Sequence, residues 1–410
     1  MFVINNEQTK KPIKIWLENE ESLEDTCLEQ AYKLSQLPFI HKWVALMPDT
    51  HAGMGMPIGG VIACKNVIIP NAVGVDIGCG MSFIGTDIKV DDIKGITTPN
   101  GSLFKGIIGD ILRNVPVGFA HHKTAKPCDA LDRAKEEMDK YKSQPELTGQ
   151  IEDGYFQVGT LGGGNHFIEI QEDEEGCLGI MLHSGSRNFG KRICDYFNKA
   201  AKELNEKWYS KVPPEDRLAF LPADTKEGID YINWMNLALD FAKENRDSMM
   251  VEIKNVLEKW ISKYTKIKFK YTIEVNCHHN YASIENHYDS NVWVHRKGAI
   301  RAREGEIGII PGAMGSYSYI VIGKGNQESF YSCSHGAGRR YSRKAAMENF
   351  TVEQVMLDLK QQNVVLGKTS KKDVPEESRF AYKDIEEVMK SQTELVTPIK
   401  RLKTLGVVKG

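Results

Sequence analysis

The 410-residue chain has no run of about 18 consecutive apolar residues, the length a membrane-spanning helix requires. Its N-terminal stretch MFVINNEQTKKPIKIW lacks the apolar centre of a secretory signal, so the expected compartment is the cytoplasm. A Cys-x-x-Cys pair is missing too. The eight cysteines, at 27, 64, 79, 128, 177, 194, 277 and 333, are scattered, which suggests neither a zinc ribbon nor a disulfide framework and leaves most of them reduced and buried. Charge of one sign is not in excess: 53 basic against 55 acidic side chains give a net −2. That balance argues against a general nucleic-acid coat protein, whose affinity comes from many phosphate contacts. A local basic groove stays possible at Arg339, Arg340, Arg343 and Lys344, for which a solvated helix face is the alternative.

With 41% hydrophobic residues, the chain can build a substantial core. ESLEDTCLEQAYKLSQ (21–36) has the spacing of an amphipathic helix, and WVALMP (43–48) reads as a buried strand ending at its proline. From His51 to Gly80, glycine-rich turns alternate with short β-branched runs. Residues 120–150 are polar and proline-broken, as a surface excursion with little chemistry would be. Strands follow at 166–171 and 178–182, then a helix from Phe189 to about Lys207 and a helical stretch over 230–262 with room for a break. YTIEVN, VWVHRK, GIIPG and SYSYIVIG supply four more strands before closing helices around 337–361 and 382–395. No internal repeat or low-complexity linker divides the chain. The expected fold is α+β, one large mixed domain over 1–410 with strand-end turns converging on a central cleft.

Four segments set metal-ligand residue types where an apolar run meets a turn: VGVDIGCG (Asp76, Cys79), GGGNHFIE (Asn165, His166, Glu169), IMLHSGSR (His183) and VNCHHNYA (His278, His279). Asp, Cys and neutral imidazole all ligate divalent transition ions, and a thiolate can bridge two of them. Singly, each has a structural alternative: a cysteine as core filler, a histidine as a hydrogen-bonded core residue. An all-core explanation leaves the Asp76 carboxylate unpaired beside VGV and IG, which is costly.

GSRNFGKR (185–192) imitates a phosphate-binding loop but carries Arg192 where that loop needs Ser or Thr for magnesium. Ser184, Ser186, Arg187 and Lys191 at this helix start still make a candidate anion site, suited to an RNA phosphate. TLGGGNHF and IIPGAMGSYS expose backbone that could wrap a nucleotide, with ordinary tight turns as the alternative. YSCSHGAGRR (331–340) places His335 among small residues just ahead of two arginines, an arrangement open to phosphate.

Taken in order, MPDTHAGMGMPIGGV, VGVDIGCGM, GTLGGGNHFIEI, MLHSGSR, NCHHNY, RKGAIRA, IIPGAMG, SCSHGAGR and the closing VVKG resemble the RtcB family of RNA-splicing ligases over nearly the whole chain. The resemblance implies a GTP- and manganese-dependent ligase. It would join RNA ending in 3′-phosphate or 2′,3′-cyclic phosphate to RNA beginning with 5′-hydroxyl, in RNA repair or tRNA splicing. It implies His335 as the nucleophile that forms a covalent GMP adduct. Asp76, Cys79, His166, His183 and His279 are implied as ligands of two manganese ions, Cys79 bridging and His278 the less favoured neighbour. Asn165, Phe167, Glu169, Ser318, Gly338, Tyr382 and Lys409 match positions around the guanylate, and Arg187, Lys191 and Arg339 are candidates for RNA phosphates. Two departures, Ala313 where serine is common and Asn188 where glycine is common, bear on nucleotide and RNA contacts. They keep a second reading open, a nucleotidyltransferase that caps 3′-phosphate ends of RNA or DNA without sealing. A metal-dependent hydrolase and a non-catalytic RNA-binding protein are the further alternatives. Family members can rely on a helper protein, for which no docking segment is legible.

Overall fold

The computed structural model describes residues 1–99 and 101–410. The architecture is the expected α+β one, built on two large sheets. A six-stranded sheet runs Phe2–Ile4, Ile13–Ile15, Ile40–His51, Ile58–Cys64, Ser290–Lys297, Asn280–His287 in spatial order. The larger sheet runs Tyr271–His278, Gly80–Lys89, Cys177–Ser184, Phe167–Asp173, Val396–Lys409, Tyr317–Gly323, Ile307–Ile310, with Val365–Gly367 pairing onto Val396–Lys409. Its two ends approach each other, Tyr271–His278 against Ile307–Ile310. Among the described residues no helix is long and apolar enough to cross a membrane.

Side-chain alternation decides which residues of the larger sheet reach the site. Ile168 and Ile170, with Leu178, Ile180 and Leu182, pack under helices Leu103–Asn114 and Lys226–Tyr264. Phe167, Glu169, Met181 and His183 therefore share the opposite face. Cross-strand register adds Lys409 beside Phe167 and Val407 beside Glu169. The long strand Val396–Lys409 thus makes Lys409 a central sheet position, although Pro398 and alternating charges hide the strand in sequence.

Several expected boundaries shift. The strand read as ending at Pro48 continues as Ile40–His51, its pairing with Ile58–Cys64 broken between Leu46 and His51. A proline fits where the ladder is interrupted, because its missing N–H is not required there. The excursion at 120–150 is a packed element: Leu131 and Ala134 of helix Asp129–Glu136, with Leu147 and Ile151 of helix Pro145–Gln157, lie in the core with Phe189, Trp234 and Phe241. Its apolar residues keep helical spacing inside a polar composition. The stretch at 230–262 is one unbroken helix, Lys226–Tyr264, capped by the Thr225 hydroxyl on the Gly228 amide at 3.2 Å. Of the expected helix at 337–361, only Arg343–Asn349 and Val352–Gln361 are helical, and Ala337, Gly338, Arg339, Tyr341 and Ser342 form pocket wall instead. The last helix shortens to Ile385–Lys390.

The two sheets share a core, in which Ala45, Val61 and Val294 of the smaller pack with Ile310, Tyr319 and Val321 of the larger. Tyr271–His278 is an end strand of the larger sheet and Asn280–His287 an end strand of the smaller, and a single residue, His279, links these two strands.

Candidate active site

The turn Asp76–Cys79 precedes the Gly80–Lys89 strand, and its shape depends on Gly78, whose φ is +76°. It aims Asp76 and Cys79 at three imidazoles from separate elements. Cys79 Sγ lies 3.4 Å from His166 Nε2 and 3.3 Å from His183 Nε2. Asp76 Oδ2 is 3.1 Å from His166 Nε2, and the Nε2 atoms of His183 and His279 are 3.4 Å apart. Two ligand groups result, Asp76–Cys79–His166 and Cys79–His183–His279, with the sulfur common to both.

Burial, reinforced by neighbouring imidazoles, holds His183 and His279 well below the usual range, so both are neutral. The His183 Nδ1–H donates to the Asn165 carbonyl at 3.1 Å, which turns the Nε2 lone pair inward. Burial and then the Asp76 carboxylate push the Cys79 thiol up. For Asp76 burial acts in the raising direction, but the His166 hydrogen bond brings its carboxyl below the ordinary value. Buried lone pairs facing one another are costly unless a cation lies between them. The residues therefore fit a pair of divalent ions sharing Cys79.

His335 stands beside this cluster, its ring centroid 4.8 Å from that of His279. A fully buried carboxylate fixes it: Asp49 Oδ2 accepts from His335 Nδ1 at 2.6 Å, from the His335 amide at 3.0 Å and from the Gly336 amide at 3.3 Å. With Nδ1–H committed, Nε2 holds the free lone pair. Asp49 comes from the part of the Ile40–His51 strand beyond Pro48. His51 follows on the same face, donating Nδ1–H to the Asp49 carbonyl at 2.9 Å.

Both His335 and His183 line a cavity of about 350 Å³. Of the residues matched to the guanylate, Asn165, Phe167, Glu169, Gly338, Tyr382 and Lys409 line it, and so does Ala313. Ser318 lies behind the wall, accepting from the Gly312 amide at 3.1 Å and from Gln171 Nε2 at 3.3 Å. Glu169 Oε2 accepts from Gln171 at 2.7 Å and from the Thr404 hydroxyl at 3.1 Å, which leaves Oε1 without a protein partner among the described residues. Burial raises this carboxyl to about 7. Lys409 donates to Glu377 Oε2 at 3.1 Å and to the Gly164 carbonyl at 3.2 Å. Burial opposes ionisation of Glu377, but Lys409, the Tyr382 hydroxyl and Arg339 hold its carboxyl below the usual range.

The residues proposed for RNA phosphates fall in three different places. Arg187 lies against the cluster: Nε donates to the Thr160 hydroxyl at 3.0 Å and Nη2 to the Gly118 carbonyl at 2.7 Å. It opens helix Arg187–Lys207 with φ +60°, uncommon for a non-glycine residue. Arg339 lines the cavity with its guanidinium spent on Glu377, the Tyr382 hydroxyl and the Tyr341 and Glu376 carbonyls. Lys191 is on the exposed helix face, ion-paired to Asp195 at 2.5 Å and away from the cavity lining. The anion site at that helix start already holds a carboxylate, since the Ser186 amide donates to Asp76 Oδ1 at 3.2 Å. The hydroxyls of Ser184 and Ser186 are taken by the Leu161 and Ile77 carbonyls.

Sequence reasoning did not single out Asp49, Glu377, or the pair Asn245 and Arg246. These last two sit in the middle of Lys226–Tyr264, both fully buried. Asn245 Nδ2 donates to the Thr160 and Gly185 carbonyls at 3.2 and 3.0 Å, and its Oδ1 accepts the Thr160 amide at 3.0 Å. Arg246 Nη1 donates to the Gly78 and Ser184 carbonyls, both at 2.9 Å, tying the Cys79 turn to the His183 strand. Its Nη2 faces His278 Nδ1 at 3.1 Å, so His278 serves this support and His279 serves the cluster. Asp49 stood in the quoted MPDTH, but only the fold reveals its distance from His335.

Fold and site together define a class: a mixed α/β protein with a paired His/Cys/Asp centre beside a carboxylate-held histidine in a pocket of small-molecule size. The family profile described as tRNA-splicing ligase RtcB matches residues 30–410. The chain is 38% identical to the RNA-splicing ligase RtcB of Escherichia coli (strain K12), covering 97% of each chain. It is 31% identical to the tRNA-splicing ligase RtcB of Nanoarchaeum equitans, over 97% of this chain and 95% of that one. With the tRNA-splicing ligase RtcB of Pyrobaculum aerophilum it shares 29% identity, over 98% and 95%. The chain belongs to the RtcB family and is an enzyme of the RNA-ligase type.

Proposed function

We propose that this enzyme joins RNA ending in 3′-phosphate or 2′,3′-cyclic phosphate to RNA beginning with 5′-hydroxyl, using GTP and a covalent His335–GMP intermediate. The observation that carries the reading is His335: Asp49 holds its Nδ1, and its Nε2 side shares a cavity with His183 of the shared-sulfur cluster. Bound divalent ions, manganese by the family resemblance, would neutralise phosphate charge and orient in-line attack from the ligands Asp76, Cys79, His166, His183 and His279.

The chain's own groups account for the remainder. His335 Nε2 attacks the α-phosphorus of GTP; a P–N bond forms as the bond to the bridging oxygen of pyrophosphate breaks. The developing imidazolium is stabilised by Asp49 through Nδ1–H. Glu169 Oε1 is placed to accept from the guanine N1–H and N2–H₂ edge, with Phe167 and Tyr382 as apolar walls. An oxygen of the RNA 3′-phosphate then displaces His335, a cyclic end having first been opened by water. The 5′-hydroxyl attacks that 3′-phosphorus, GMP leaves, and the hydroxyl proton passes to solvent. Residues 1–410 are read as one domain working in the cytoplasm, in RNA repair or tRNA splicing.

The test uses purified protein, manganese and GTP labelled on the α-phosphate, with RNA carrying both end types. Label on denatured wild type but not on His335→Ala, together with joined RNA, supports the reading. Capped 3′ ends without joining, despite abundant 5′-hydroxyl partner, would replace it with the capping nucleotidyltransferase. Turnover of cyclic phosphate by His335→Ala without GTP would replace it with the hydrolase.

A further inference from the structure

The segment VPVGFAHHKTAKP (115–127) has no part in the mechanism above, yet it borders the metal cluster. Its backbone is pinned along its length. The Pro116 carbonyl accepts from the Leu161 amide at 2.9 Å, and the Gly118 amide donates to Gly162 at 2.9 Å. Further on, the His122 and Lys126 amides donate to Phe156 and Tyr155 at 3.0 and 2.8 Å. Gly162 in turn packs directly against His166 and Arg187, and its φ of +92° suits glycine alone. The Gly118 carbonyl takes Arg187 Nη2, and the Arg187 charge reaches Asp76. The tip of this segment is thus fixed above the Asp76–His166 side of the cluster.

Phe119 occupies that tip and is fully exposed, the most exposed large apolar side chain among the described residues. Its neighbours His121, Lys123 and Lys126 are surface residues. Residues 115–127 contain no acidic side chain, and neither lysine has an ion-pair partner among the described residues. An aromatic ring free on one face, amid cations, beside a site that handles RNA ends, is the arrangement that binds single strands by stacking and phosphate attraction. The lining of the His335 cavity includes no residue of this segment, so the ring lies outside the nucleotide pocket and is open to a second ligand.

We propose that Phe119 is a stacking platform for the base of an RNA nucleotide next to the reacting end, with Lys123 and Lys126 attracting the adjoining phosphates. This rests on the RNA-ligase reading for the identity of the ligand. Base–aromatic stacking lost on truncation corresponds to about 5- to 150-fold in affinity.

The experiment uses the full chain loaded with manganese and single-stranded RNAs bearing either a 3′-phosphate or a 5′-hydroxyl, each with 2-aminopurine in the terminal nucleotide. Wild type and Phe119→Trp are expected to quench the 2-aminopurine, and Phe119→Ala to lose both quenching and about 5- to 150-fold in affinity for one of the two ends. Labelling of the protein by GTP stays at the wild-type level in Phe119→Ala, which shows that it is folded and metal-loaded. With an abasic terminal nucleotide, wild type and Phe119→Ala are expected to bind equally. Wild-type binding without quenching, or Phe119→Ala within about twofold of wild type on base-bearing RNA, overturns the proposal. Quenching by a wild type that never joins ends would retain the platform and remove the ligase reading.

Discussion

Replacing Asp49 is the sharpest test of how the site activates its histidine. One carboxylate oxygen, Oδ2, receives the His335 ring proton and the His335 and Gly336 amides, and the other, Oδ1, is buried without a partner. Asp49→Asn fits the same space with its carbonyl toward the three donors and its NH₂ in the place of Oδ1. The three hydrogen bonds then fall from charged to neutral strength, roughly half. If about 2–4 kcal/mol of that loss is felt when His335 becomes positively charged, its reaction with GTP slows roughly 30- to 1,000-fold. The NH₂ group is itself left unpaired, a stability cost of about 1–3 kcal/mol. Asp49→Ala leaves all three donors unsatisfied and frees the ring to turn, so it is slower still. The assay is rapid-quench labelling by GTP carrying label on the α-phosphate, with manganese binding and thermal unfolding measured on the same samples. A folded, metal-loaded Asp49→Asn protein that labels at the wild-type rate would refute the argument, as would an alanine variant faster than the asparagine one.

Further outcomes follow from the same geometry. Glu169 has a folded pKa of about 7, above its unfolded value, so the folded state holds the extra proton; stability is full below about pH 4.5 and declines by about 3 kcal/mol as pH rises through 7. Glu169→Gln should remove that slope from Tm measured across this range, whereas guanine nucleotide binding by the wild type should strengthen as the carboxylate ionises; a Tm slope unchanged in the variant would count against the assignment. Cys79→Ala should lower manganese affinity more than about 100-fold and abolish the magnetic coupling of a shared-sulfur pair, read by electron paramagnetic resonance. Arg246→Met should cost about 3–5 kcal/mol in stability and about 10- to 100-fold in metal affinity, because the Gly78 and Ser184 carbonyls lose their donor; calorimetric titration at a temperature where the variant is folded reads the second effect.

The motifs made the His/Cys/Asp cluster legible because residues of metal-ligand type at strand ends leave a local trace: a polar side chain abutting an apolar run, as at His183 after IML. They did not expose groups whose task depends on distance through space. Asp49 and His335 are 286 positions apart, and nothing local tells Asp49 from any other buried acid. Arg246 is concealed differently, since at helical spacing a charge within ENRDS reads as solvated surface. For the fold, short apolar runs revealed five strands of the larger sheet, whereas Gly80–Lys89 and Val365–Gly367 went unread and Val396–Lys409 was masked by its proline and lysines. The same masking made the 129–157 helices read as an excursion. Composition averages over the two faces of an element, and the core sees only one of them.

The single-residue passage through His279 gives the chain a length gauge. One residue added between His278 and Asn280 would not simply loosen a turn: it would reverse the facing of every side chain in whichever adjoining strand accommodated it. It would also lift an imidazole out of the cluster. The tolerance of this protein to engineered change is therefore unevenly distributed. At this seam a cut or an added residue is at once a change of fold and a change of the His/Cys/Asp cluster.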